Sequence, residues 1–127
     1  MGFLEVIAAA VAAWLFGAVW YGVTGSRWMA AAGLTAETIN RRNFAAYFGS
    51  FLCAVLVAGM MRHVFVTSDV ATLHDGALTG FGLGLFIATP WVVTNYLFSQ
   101  RPVALMLIDG AYATVGCTLM GAVLVLV

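Results

Sequence analysis

Four apolar runs set the rhythm of this chain: Gly2–Val23, Phe44–Met61, Ala77–Phe98 and Val103–Val127. Crossing the roughly 30 Å hydrocarbon layer of a bilayer takes about 20 residues of α-helix at 1.5 Å per residue, so each run with its flanks is long enough to span a membrane. The polar residues between them supply the stops and starts. Gly25 breaks the first run, and Ser26 is placed to cap a short helix Arg27–Ala32 whose Arg27 and Trp28 suit the membrane interface. Gly33 ends that turn. Thr35 is an N-cap residue with Glu37 in the following turn, opening a long second helix through Arg41 and Arg42 that Arg62 and His63 close. Ser68 or Thr72 starts the third helix, in which Pro90 removes one backbone donor, frees the carbonyl of Phe86 and predicts a kink. The short turn Ser99–Pro102 makes the third and fourth helices an antiparallel hairpin.

The pattern predicts an all-α fold: an integral membrane four-helix bundle with a short interfacial helix between spans one and two. It forms a single transmembrane domain with spans near 2–23, 36–62, 72–98 and 103–126. No Lys or Arg precedes the first run, so it reads as a retained helix rather than a cleavable signal.

Composition reinforces the reading. The 127 residues are 64% hydrophobic and 8% charged, against roughly 45–50% and 25% for a soluble domain. So short a chain has too little interior to bury that surplus, which leaves the lipid bilayer as its partner. The five arginines balance five acids, there is no lysine and no basic tract, and nucleic acid is thereby excluded as a partner. Arg27, Arg41, Arg42 and Arg101 fall in the first and third loops and only Arg62 lies near the second, so the positive-inside rule puts both termini outside the cytoplasm.

Asp109 is the one charge in the last apolar run, and a carboxylate at membrane depth faces protein, water or a partner. Tyr112 shares its helix face, and a hairpin turning near Gln100 brings Asn95 to comparable depth, predicting a hydrogen-bonded cluster of Asp109, Asn95 and Tyr112. Arg101 is within snorkelling reach of the same acid. Small residues recur every four positions at Ala9, Ala13 and Gly17, at Gly80 and Gly84, and at Ala113, Cys117 and Gly121. That spacing lets helices approach closely, within a protomer or between copies, and predicts a homo-oligomer. Trp20, Tyr21, Trp28 and Arg101 are the interface anchors. Cys53 and Cys117 read as small packed hydrophobes. His63, His74, Asp69 and Asp75 match no metal spacing and read as a solvated loop, so no metal and no cofactor is expected.

Two stretches carry a resemblance. The segment Gly17–Ala18–Val19–Trp20–Tyr21–Gly22, followed by Trp28–Met29 and Gly33–Leu34, and the later Asn95–Tyr96–Leu97–Phe98, Arg101–Pro102 and Leu107–Ile108–Asp109–Gly110–Ala111–Tyr112 resemble the bacterial membrane-protein family named domain of unknown function 1761. The resemblance implies a four-span protein of the bacterial inner membrane and implies no activity.

The residues support a self-associating structural or accessory membrane component, with an unidentified membrane-protein partner as one form of that role. The rival reading is a small channel or transporter that uses Asp109 in an aqueous cavity. An enzyme is the weakest, since no convergent nucleophile, base and acid can be picked out.

Overall fold

The computed structural model describes residues 2–35, 37 and 43–127. Regular structure among them is helical throughout: α1 (Gly2–Ala32), α2 (Phe44–Thr67), α3 (Leu73–Leu83), a π-helical segment (Gly84–Ala88), α4 (Thr89–Phe98) and α5 (Val103–Leu126). The π segment joins α3 and α4 into one rod, Leu73–Phe98, so four helices are long and apolar enough to cross a membrane. Their outer faces carry Leu15, Val19, Leu56, Phe86, Trp91 and Leu107, all exposed. A surface so apolar is stable in lipid, and the chain is a multi-pass membrane protein.

Three helices end in the same way. After α1, Gly33 takes a left-handed φ of +76°, its N–H donates to the Ala30 carbonyl (3.3 Å), and Leu34 N–H donates to Met29 (2.8 Å). This pair of bonds is a Schellman motif, which returns two orphan carbonyls to partners. Asp69 and Gln100, both at φ 56°, serve the same purpose after α2 and α4, where Val70 N–H donates to Phe65 (2.9 Å) and Arg101 N–H to Tyr96 (2.9 Å).

Local expectations needed correcting at several points. Gly25 does not break α1, and Arg27–Ala32 forms its last turns instead of a separate interfacial helix. A helical glycine costs only about 1 kcal/mol, too little to stop a helix that tertiary contacts extend. Position 36 and Arg41 and Arg42 lie outside the described residues. The described α2 starts at Phe44, with the Asn43 side chain accepting from Ala46 N–H (3.2 Å), so a helix running unbroken from Thr35 is not formed. Arg62 and His63 lie inside α2, which continues to Thr67. Thr72 is the N-cap of α3, accepting from Asp75 N–H (3.1 Å).

The expected disturbance at Pro90 takes the form of a π turn. Thr89 N–H reaches back five residues to the Gly84 carbonyl, and the widened turn just before Pro90 absorbs its missing donor and its ring. One residue is thereby inserted into the helical repeat.

α5 is the hub, with α1 on one side and the α3–α4 rod on the other, while α2 leans on α1 and only lightly on α5. Ala9, Ala10 and Ala13 of α1 are fully buried against Ala54, Ala58, Met61 and Phe65 of α2 and Cys117, Met120 and Leu124 of α5. Between α3 and α5 the backbones nearly touch. A methyl group on Gly80 would lie 2.2 Å from the Cys117 carbonyl oxygen, and one on Gly121 would lie 2.1 Å from that of Gly76. Gly84 sits less closely over Ala113 and Thr114, with a methyl there 2.8 Å from the Ala113 carbonyl oxygen. The small-residue stripes are thus consumed inside one protomer, and the expectation of a homo-oligomer loses the observation on which it was built.

The two ends are tied separately. Glu5 in the first turn of α1 pairs with Arg62 of α2 (3.1 Å), and Arg101 donates to the Ala32 carbonyl (2.8 Å) at the C-terminus of α1. There its charge also complements the helix dipole.

Candidate functional site

Asp109 lies less than two turns into α5, about 9 Å along the helix from Val103. Tyr21 of α1 donates its hydroxyl to Oδ1 (2.5 Å) and Tyr96 of α4 donates to Oδ2, so one carboxylate ties three spans together. No Arg, Lys or His among the described residues pairs with it.

Helical register explains both tyrosines. On α1 the buried stripe Ala9–Ala13–Gly17 continues at the same four-residue spacing to Tyr21, which therefore faces α5. On the third span, Gly76, Gly80 and Gly84 face α5, and an uninterrupted α-helix would carry that face on to positions 88 and 95. The extra residue of the π turn moves it to 89 and 96. Thr89 accordingly donates to the Gly110 carbonyl (3.1 Å) and meets the Thr114 hydroxyl (3.0 Å), and Tyr96 reaches Asp109. Asn95 is turned to an exposed face and does not join the cluster; its backbone carbonyl accepts the Ser99 hydroxyl (2.9 Å).

Tyr112 stands beside Asp109 but approaches through its ring. It meets Tyr21 edge-on (5.3 Å, 61°) and stacks on Phe16 (6.1 Å, 12°), which stacks in turn on Trp20 (6.1 Å, 22°). Gly17 seats it, since a methyl there would lie 2.8 Å from Tyr112 Cε1. Trp20 donates to the Ile108 carbonyl (3.0 Å), next to the acid. Trp20 and Tyr21, expected as interface anchors, are half-buried and face α5 instead; Trp28 is half-buried edge-on to Tyr21 (6.1 Å, 80°). Arg101 turns to Ala32 and not to Asp109.

A half-open cavity of about 940 Å³ lies between α1, the N-terminal half of α2 and α5, with Asp109 and Tyr112 in its wall. Its origin is visible in the two helices. The buried residues of α1 stop at Gly17 and those of α2 begin at Ala54, so alanines close the seam toward the Glu5–Arg62 end. Beyond them the seam carries Trp14, whose indole meets Phe51 edge-on (5.7 Å) and donates to Ser50 (3.2 Å), and Tyr47. These bulky groups hold the helices apart. The lining is mainly apolar and aromatic with a few convergent polar groups, and its size falls within the range typical of small-molecule sites, roughly 300–1,000 Å³. Asp109 is the one charged residue in the wall among the described residues.

The remaining polar residues converge on nothing. His74 contacts its neighbour Asp75 (3.3 Å) in the exposed first turn of α3, and no group of three metal-binding side chains occurs among the described residues. Cys117 is buried between helices and Cys53 is exposed on α2.

The two sequence stretches that drew attention at the outset, Gly17–Gly22 with Trp28–Met29 and Asn95–Phe98 with Leu107–Tyr112, are those that meet around Asp109. No curated protein and no solved structure matches this chain. A family model does match, described as protein of unknown function DUF1761 and covering residues 4–125, and the chain belongs to that family.

Proposed function

We propose that this protein binds a small molecule in the cleft between α1 and α2, as the binding step of a membrane carrier or receptor. The observation that carries the reading is an intramembrane carboxylate in the wall of a cavity of about 940 Å³. A carboxylate within the membrane faces protein or a water-filled cavity, and Asp109 presents one side to a cavity large enough for a small molecule. The structural and accessory role is the weaker reading, since the stripes that suggested self-association are spent within the protomer. A carrier or receptor is favoured over an open channel because alanines and methionines fill the seam beyond the cleft. In the inner membrane of a bacterium, with both termini outside the cytoplasm, the cleft would open toward the cytoplasmic face, the side of Arg27 and Arg101.

The test is ligand-dependent stabilisation of the detergent-purified chain against a chemically diverse set of small molecules. A ligand at 100 times its dissociation constant stabilises by about 2.7 kcal/mol, a readily measured rise in melting temperature. Ala18 lines the cleft and is exposed, so Ala18→Trp pushes an indole into the space and leaves the Asp109 side chain itself unchanged. Hits that stabilise the wild-type chain and not Ala18→Trp support the reading; absence of any such hit returns the protein to a structural role.

A further inference from the structure

We infer that the cleft selects an organic cation with an aromatic or branched apolar body, an assignment that deepens the binding reading above and rests on it. The Asp109 carboxylate sets the sign of the site. Its two oxygens are held by two neutral donors, Tyr21 and Tyr96, and no cationic side chain among the described residues pairs with it. Phenol hydroxyls orient a carboxylate and leave its net charge in place. A carboxylate accepts roughly four hydrogen bonds, so acceptor capacity toward the cavity also remains. In a partly desolvated wall an uncompensated anion is costly, and a ligand that brings the opposite charge removes that cost.

The rest of the wall points to the same class. Trp14, Tyr21, Trp28, Tyr47 and Tyr112 surround the cavity, and the negative faces of aromatic rings attract cations, most strongly where water is excluded. An anionic ligand would meet Asp109 with the wrong sign. A bare metal ion would find one carboxylate and no set of three metal-binding side chains among the described residues. The volume of about 940 Å³ also exceeds what an inorganic ion needs and suits a drug-sized molecule.

Three probes of similar shape separate charge from bulk: tetraphenylphosphonium (cation), triphenylphosphine oxide (neutral) and tetraphenylborate (anion). They are titrated calorimetrically into the full chain in a neutral detergent, with empty micelles as the blank. The expected result is saturable binding of the cation, at least about tenfold weaker binding of the neutral compound, corresponding to about 1.4 kcal/mol, and none of the anion. Asp109→Asn should weaken the cation by about tenfold and leave the neutral compound unchanged. Trp28→Leu gives a second variant away from the carboxylate and should weaken the cation more than the neutral compound. Because the charge series runs on the wild-type protein, poor folding of either variant does not remove the test. Equal binding of cation and neutral compound, both abolished by Ala18→Trp, would overturn the cation assignment and keep the cleft. Cation binding that Ala18→Trp leaves unchanged would overturn the cleft itself. No saturable binding of the cation would overturn the assignment.

Discussion

Replacing Tyr96 by Phe and, separately, Asn95 by Ala tests the register that the π turn imposes on the third span. In the structure Tyr96 donates to Asp109 while Asn95 is exposed, and an uninterrupted α-helix would exchange their positions. A hydrogen bond to a charged acceptor contributes about 1.5–3 kcal/mol in soluble proteins, whereas side-chain pairs between membrane helices average about 0.6 and reach about 1.7. Tyr96 lies near the end of α4, where water competes, so Tyr96→Phe should destabilise by about 1 kcal/mol. Asn95→Ala removes a side chain that reaches no other helix and should stay within about 0.5 kcal/mol of the parent. The assay is unfolding in mixed micelles of increasing sodium dodecyl sulfate fraction, followed by tryptophan fluorescence. A double-mutant cycle with Asp109→Asn then isolates the pair, with an expected coupling of about 0.5–1.5 kcal/mol for Tyr96 and none for Asn95. The reasoning fails if Asn95→Ala is the costlier change or if Asn95 is the residue that couples to Asp109.

The close contact of α3 with α5 predicts opposite outcomes two residues apart. Gly80→Ala drives a methyl into the Cys117 carbonyl and should cost about 1–3 kcal/mol, while Gly82, with open space around it, should gain up to about 1 kcal/mol as alanine, measured by the same unfolding titration. Equal effects at both sites would show that the helices do not approach as described. Asp109→Leu leaves two tyrosine hydroxyls without their acceptor and should destabilise by about 1–3 kcal/mol, more than Asp109→Asn, which keeps one acceptor and adds donors; the reverse order in melting temperature would count against the three-span tie. Orientation follows from arginine placement: C-terminal alkaline phosphatase fusions should be active and cytoplasmic-reporter fusions silent, and the opposite pattern inverts the assignment.

Much of the architecture was legible because membrane spans are set by length and apolarity, which a single sequence carries. The four runs became four helices, and Gly33 and Thr72 stop and start helices as their chemistry indicates. The second start was less readable: Asn43 caps the described α2, and most of the stretch that follows Thr35 lies outside the described residues. At the site, Asp109 and Tyr112 were visible as a polar pair on one face. Tyr21 was hidden by its type: next to Trp20 and near a helix end, a tyrosine suggests the interface. Its position four residues beyond Gly17 was the overlooked signal, because a side chain continuing a small-residue stripe faces what the stripe faces.

Asn95 was the error with the most instructive cause. The residue was placed by depth, opposite Asp109 across the hairpin turn, and a regular α-helix would also have put it on the face of Gly80 and Gly84. Pro90 announced a disturbance, but a kink and a π turn answer the same missing donor differently, and only the π turn changes the count. The choice is made by α5: with the π turn, Thr89 finds Gly110 and Thr114, and Tyr96 finds a carboxylate. A regular helix would present Ala88 to α5 in place of Thr89 and leave Asp109 one hydroxyl short. The polar groups of α5 are thus satisfied in the register that the π turn gives the third span. In that register two hydroxyls hold Asp109, and no basic side chain among the described residues pairs with it.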